Sequence, residues 1–246
     1  MSAWPDHQWR VRVDGPATGA ENMARDRQLR DELLMGRRPP TLRFYSWKPA
    51  CISLGRGQRP ELLREDDVRR AGLDVVQRPT GGQALLHDDE LTYCVVASQQ
   101  DRFVGGALLD SYRSISTALL SGLAALGVDA TGAPALPRPA KGLTPICFAS
   151  ASAEEVLVDG RKLLASAQWR GRGIFLQHGS LLLTDRQAEI ASFMRDPTEA
   201  PPSSIAVSLS ELMAEVPSRE RLVELLSEGF EQALGVELVP ERSLDA

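Results

Sequence analysis

Three strand-like segments between positions 154 and 183 constrain the fold more than any other feature of the chain. EEVLV (154–158) and RKLLASAQWR (161–170) flank Asp159-Gly160. An Asp-Gly pair between two such runs is the strongest short-range hairpin signal, because both turn residues must adopt positive φ. After Gly171-Arg172-Gly173 a third run, IFLQHGSLLL (174–183), completes a meander. An antiparallel sheet of this kind needs helices to cover its apolar face, and the rest of the chain supplies them. NMARDRQLRDELL (22–34) predicts a helix closed by Gly36 and Pro39-Pro40. Pro60 opens a second, which stops at Gly72. Leu108, Tyr112, Ile115, Leu119, Leu123 and Leu126 recur every three or four residues and predict a central buried helix ending at Gly127. Leu222, Leu225, Leu226, Phe230 and Leu234 form another apolar stripe, ending at Gly235. Thr184-x-x-Gln187 and Ser208-x-x-Glu211 read as capping boxes. Further strands are predicted at 41–45, 50–54, 74–77 and 90–97, the last two on either side of Gly81-Gly82. The proline-rich segment 130–145 is predicted as a long loop. This order predicts one α+β domain over 1–246, core roughly 22–235, with a mixed β-sheet flanked by helices.

Composition narrows the function. The chain has 246 residues, 28 basic against 33 acidic, for a net charge of −5. That argues against nucleic acid as the main partner. Three cysteines are too few and too odd in number for a disulfide framework. No apolar run approaches the ~20 residues a membrane span needs, so a soluble cytoplasmic protein is the expectation. A monomer is expected as well. No C-x-x-C or H-x-x-x-H spacing suggests a metal site.

Four places are polar where a plain core would not be. Arg78-Pro79-Thr80-Gly81-Gly82, followed by His87, reads either as a tight hairpin turn with a surface arginine or as a loop whose N–H groups approach an anionic or carbonyl oxygen. Period-two alternation puts Lys162, Leu164, Ser166, Gln168 and Arg170 on one face of their strand, which reads as a polar cleft wall or a solvated face. Only three of the basic residues are lysines (Lys48, Lys141 and Lys162). A lysine offers a compact charge that arginine does not. Cys51 and Cys94 lie within apolar strands, whereas Cys147 follows the proline-rich loop and is either an inert thiol or an acyl acceptor activated by a nearby ammonium. His178-Gly179 is either a satisfied core histidine or a place where a ligand approaches the backbone.

These signals occur together in a familiar order: NMARD, RFYSWKPACISLGRGQ, RPTGGQALLHDDELTYCVV, ICF, DGRKLLASAQWR and LQHGSLLL. The chain resembles the lipoate-protein ligase A/biotin ligase superfamily from about Asn22 to Leu234, and within it the octanoyltransferases of the LipM type. The resemblance implies the biotin/lipoate ligase-like catalytic fold, a cytoplasmic role in protein lipoylation, and no cofactor. It implies that Cys147 takes the acyl chain as a thioester and that Lys162 lowers its thiol pKa and contacts the acyl carbonyl. Arg78, Gly81, Gly82, His87, Ser166, His178 and Gly179 would bind substrate. The implied donor is octanoyl-acyl carrier protein, and the implied acceptor a lysine of a lipoyl-domain protein such as glycine cleavage H protein. Arg27, Ala165 and Cys94 depart from the usual pattern, which has an acidic residue, a glycine and a serine there. Arg37, Arg38, Arg43, Arg56, Arg59, Arg138 and Lys141 are candidates for a basic surface facing acidic partners. An ATP-dependent lipoate ligase, an amidotransferase between lipoyl domains, and a non-enzymatic acyl-protein-binding scaffold are the alternatives.

Overall fold

In the computed structural model the described residues are 4–133, 155–195 and 206–241. Their strands are β1 (Gln8–Val13), β2 (Thr41–Tyr45), β3 (Cys51–Leu54), β4 (Asp74–Gln77), β5 (Leu85–His87), β6 (Glu90–Ser98), β7 (Thr131–Gly132), β8 (Val156–Val158), β9 (Arg161–Gly171), β10 (Ile174–Leu182) and β11 (Glu237–Pro240). The helices are α1 (Gly19–Leu34), α2 (Glu65–Arg70), α3 (Leu108–Ala125), α4 (Leu209–Leu212) and α5 (Arg219–Leu234).

A mixed eight-stranded sheet runs in the order β11-β1-β2-β6-β10-β9-β8-β7, and a smaller one in the order β4-β3-β5. The predicted meander is present: β8, β9 and β10 pair antiparallel, with positive φ at Asp159 and Arg172 in the two turns. One face of the large sheet packs beneath α3 and α5, burying Phe44, Tyr93, Val95, Phe175 and Leu181 against Ile115, Leu119, Leu226 and Phe230. The opposite face packs against α1 and the small sheet through Tyr45, Cys94, Val96 and Leu176, which meet Met23, Leu29, Trp47 and Cys51. Beyond the small sheet, α2 and a 3-10 turn over Gln187–Phe193 close a second cluster around Ile52, Leu54, Val68 and Ile190.

Several boundaries differ from expectation. The segment opened by Pro60 divides into a 3-10 turn at Pro60–Leu62 and α2, because Leu63 turns extended between them to bury its side chain. Gly81-Gly82 does not join a β4–β6 hairpin: β4 pairs parallel with β3, and the intervening β5 pairs antiparallel with β3. The Thr184 capping box does not form, since the Gln187 side chain instead bridges the backbone N–H and C=O of Leu86. The Ser208 box does form, at the start of the four-residue α4. The sheet also extends past both ends of the expected 22–235 core, because β1 and β11 pair parallel at its edge.

Candidate active site

The α1 side of the large sheet carries a network of buried charged residues. From α1, Asp26 meets Arg43 of β2 at 2.6 Å, and the Tyr45 hydroxyl donates to its other oxygen at 3.0 Å. Arg43 is fully buried and also donates to Asp14 (2.6 Å) and to the side-chain oxygen of Asn22 (2.9 Å). This corrects its assignment to a partner-facing surface: the arginine bridges two buried carboxylates, one of them also paired with Arg12, which without these cations would be costly to desolvate. Burial alone would raise the Asp26 carboxyl, but Arg43 and His178 hold it below the usual carboxylate range. Arg38 is likewise buried, between Glu32 and Glu241, whereas Arg37, Arg56 and Arg59 are exposed. Arg138 and Lys141 lie outside the described residues.

His178, on β10, has Nδ1 3.2 Å from Asp26 and Nε2 2.7 Å from the Thr80 hydroxyl. Burial pushes its pKa below the ordinary histidine value, against the pull of Asp26. His87, at the end of β5, stacks on Trp47 with ring centroids 3.9 Å apart. Its Nδ1 lies 2.6 Å from Glu90 Oε1 and its Nε2 2.7 Å from the Ser53 hydroxyl.

Arg78 is buried, not a surface residue. Its guanidinium donates to the Ser53 hydroxyl (3.0 Å), Gly81 O (3.0 Å) and Gln83 O (2.6 Å). These bonds gather the turn's carbonyls on one side. Gly82 adopts φ +92°, and its carbonyl lies where a side chain at Gly55 would be, 2.0 Å from the position of a Cβ there, so the two glycine loops nest backbone to backbone. Gly81 is exposed with open space around it. Among the described residues none accepts a hydrogen bond from the N–H of Gly81 or Gly82.

β9 breaks the expected alternation. Val156 pairs with Leu164 but Leu157 with Lys162, so Leu163 is an extra residue. Both Leu163 and Leu164 enter the core under α3 and α5. The bulge shifts the phase by one, as bulges do when they re-aim a side chain. Lys162 therefore shares the α1-side face with Ala165 and His178, not with Ser166 and Gln168. It is buried, with Nζ 3.0 Å from the equally buried Glu155. Ser166 and Gly179 lie on the other face: the Ser166 hydroxyl meets the Tyr93 hydroxyl at 2.7 Å, and the Tyr93 ring covers Gly179. Cys147 lies outside the described residues. Cys51 and Cys94 are buried free thiols whose pKa values burial pushes up. No group of three or more candidate metal ligands occurs among the described residues, and no helix among them is long and apolar enough to cross a membrane.

The family pattern of the lipoyl protein ligase A/B catalytic domain matches residues 18–231. The chain belongs to that family. Octanoyltransferase LipM of Kyrpidia tusciae is 40% identical over 94% of this chain and 89% of its own length. Octanoyltransferase LipM of Bacillus subtilis is 34% identical over 94% and 88%. Among solved structures, lipoate-protein ligase A bound with ATP superposes with a TM-score of 0.78 at 20% identity, covering 97% of this chain and 90% of that one. The bi-partite lipoate protein ligase of Thermoplasma acidophilum gives 0.75 at 20%, covering 97% and 88%. At that identity the likeness is one of fold, and it agrees with the mixed sheets and flanking helices of this lipoyl-ligase-type chain.

Sequence reasoning missed Asp14, Asp26, Glu90 and Glu155. Their signal was present but quiet: Asp26 stands one helical turn from Met23 and from Leu29, on a stripe that α1 buries.

Proposed function

We propose that the chain transfers an octanoyl group from acyl carrier protein to a lysine of a lipoyl-domain protein, such as glycine cleavage H protein, through a thioester on Cys147. The Cys147 thiolate attacks the donor thioester, a tetrahedral oxyanion forms, the bond to the carrier sulfur breaks, and the departing carrier thiolate takes a proton from solvent. The acceptor amine then attacks the enzyme thioester; the carbon–sulfur bond breaks, an amide forms, its excess proton passes to solvent, and Cys147 is released as the thiolate. Thioester exchange is nearly isoenergetic and amide formation is downhill, so no nucleotide is required.

Lys162 supplies the cation that this chemistry needs. Its carrying observation is the bulge at Leu163, which turns a buried ammonium toward the sheet face of His178, in a chain similar throughout to octanoyltransferases. The Gly81 and Gly82 N–H groups are the proposed donors to the oxyanion. Such donors are each worth ~100–1000-fold in rate when aimed at developing charge. Arg78 lies in that turn and His87 and His178 reach it through Ser53 and Thr80, whereas Ser166 and Gly179 stand on the far face of the sheet against Tyr93.

Intact mass after incubation with octanoyl-acyl carrier protein, without ATP, is the test. The expected result is a gain of one octanoyl group that Cys147→Ser abolishes and that a lipoyl domain discharges. No adduct, with ATP-dependent lipoylation of the domain instead, would replace this reading with a ligase.

A further inference from the structure

Two buried carboxylate–histidine pairs converge on the Arg78–Gly82 turn, and we propose that Asp26 and Glu90 are positioning residues that fix the direction of its backbone N–H donors. The proposal rests on the reading of that turn as the acyl-carbonyl site.

The first chain of bonds starts at Asp26, whose carboxylate only accepts. His178 therefore carries its proton on Nδ1, and its Nε2 accepts the Thr80 hydroxyl proton at 2.7 Å. The second starts at Glu90, where Oε1 accepts from His87 Nδ1 (2.6 Å), Thr92 (2.6 Å) and Ser180 (2.8 Å). His87 Nε2 then accepts from Ser53, and the Ser53 oxygen accepts from Arg78, whose other nitrogen holds the Gly81 and Gln83 carbonyls. From the Thr80 hydroxyl to Asp26, and from Arg78 Nη1 through Ser53 and His87 to Glu90, each hydrogen points toward the carboxylate, so one tautomer of each histidine satisfies both chains, while the second Arg78 nitrogen donates back to the turn's carbonyls. The two pairs come from different elements, α1 with β10 and β5 with β6, and grip different atoms of one turn.

The need for such a clamp follows from the turn's composition. Glycines have no side chains with which to pack, and their backbone loses more freedom on ordering than any other residue's. Oxyanion donors are effective only when already aimed, since reorganisation during the reaction forfeits the gain. Rigid buried bonds from outside the turn supply what the glycines lack.

Thr80→Val keeps the side-chain volume and removes the hydroxyl that His178 holds. In the octanoyl-transfer assay its kcat should fall roughly 10–100-fold, as for small misplacements of catalytic groups, with the KM for octanoyl-acyl carrier protein changed less than about threefold. Thr80→Ser should restore kcat to within about threefold, and Ser53→Ala should lower kcat in the same manner through the second chain. A folded Thr80→Val enzyme with wild-type kcat, or a Thr80→Ser enzyme as slow as Thr80→Val, would overturn the proposal. Should Thr80→Val not fold, wild-type kcat in folded Ser53→Ala overturns it. A wild-type protein that never acquires the octanoyl mass fails differently: the transferase reading falls, and this inference with it.

Discussion

Lys162 and Glu155 bury opposite charges 3.0 Å apart, so either one alone would be left in a medium that solvates it poorly. Lys162→Met is expected to cost ~3–5 kcal/mol in urea unfolding and to abolish octanoyl transfer. In Lys162→Met/Glu155→Leu most of the stability should return while activity does not, which separates the charge's structural cost from its catalytic use. Gly179 gives a second expectation. A Cβ there would stand 2.6 Å from the Ala165 carbonyl oxygen and 2.6 Å from the Tyr93 ring. Gly179→Ala should therefore destabilise by about 1–3 kcal/mol, measured as a fall in the urea midpoint. At this scale the sequence marked Arg78, His87 and His178 as unusual, but not what they touch. Asp26 lies 152 positions from His178 and Ser53 25 positions from Arg78, while Glu90, only three residues after His87, meets it because the chain turns between β5 and β6. Ser166 shows the converse: it is a polar residue on a strand face, yet its partner is Tyr93 on the helix side.

Between α3 and α5, Gly122 and Gly229 let two helices touch backbone to backbone. A Cβ at Gly229 would lie 2.5 Å from the Ala118 carbonyl and from the Gly122 nitrogen. Gly229→Ala should force the helices apart at a cost of about 1–3 kcal/mol, seen in thermal unfolding, while kcat at low temperature is kept because this layer lies opposite the Arg78–Gly82 turn. The segment after β3 carries a different prediction. The Arg56 N–H donates to the Thr80 carbonyl, which sets its exposed side chain beside the turn, with exposed Arg59 following. Arg56→Glu/Arg59→Glu should raise the KM for an acidic carrier protein several-fold, more so at low salt, and leave kcat nearly unchanged. Helix stripes and the Asp159-Gly160 turn were legible because each is written within about twenty consecutive residues. The bulge in β9 was not: alternation reads smoothly through Leu163, and only pairing with β8 shows the extra residue.

Across the whole molecule, buried ionisable groups predict the response to pH. Asp14 and Asp26 are held below their ordinary values, against burial, by Arg12, Arg43 and His178. Each contributes stability that is complete above the unfolded carboxylate value of about 4 and is lost as pH falls through the folded one. His178 is kept neutral by burial, so its contribution is complete above about 6.5 and declines below that pH. Asp101, raised by burial, works the other way as pH rises through the carboxylate range. Urea midpoints measured from pH 8 to about 3 should begin to fall near 6.5 and steepen below about 4, and His178→Gln should remove the upper part of the decline. The layered α+β plan, the hairpin, the long helices and the family are readable from residue order alone, because they depend on local periodicity and turn chemistry. That Arg43 is a buried hub, that Lys162 faces the α1 side, and that Asp26 and Glu90 bond through histidines to the glycine turn came from the folded chain. Those facts depend on strand register and on pairs of charges brought together from distant positions, where one residue of slip reverses the face a side chain occupies.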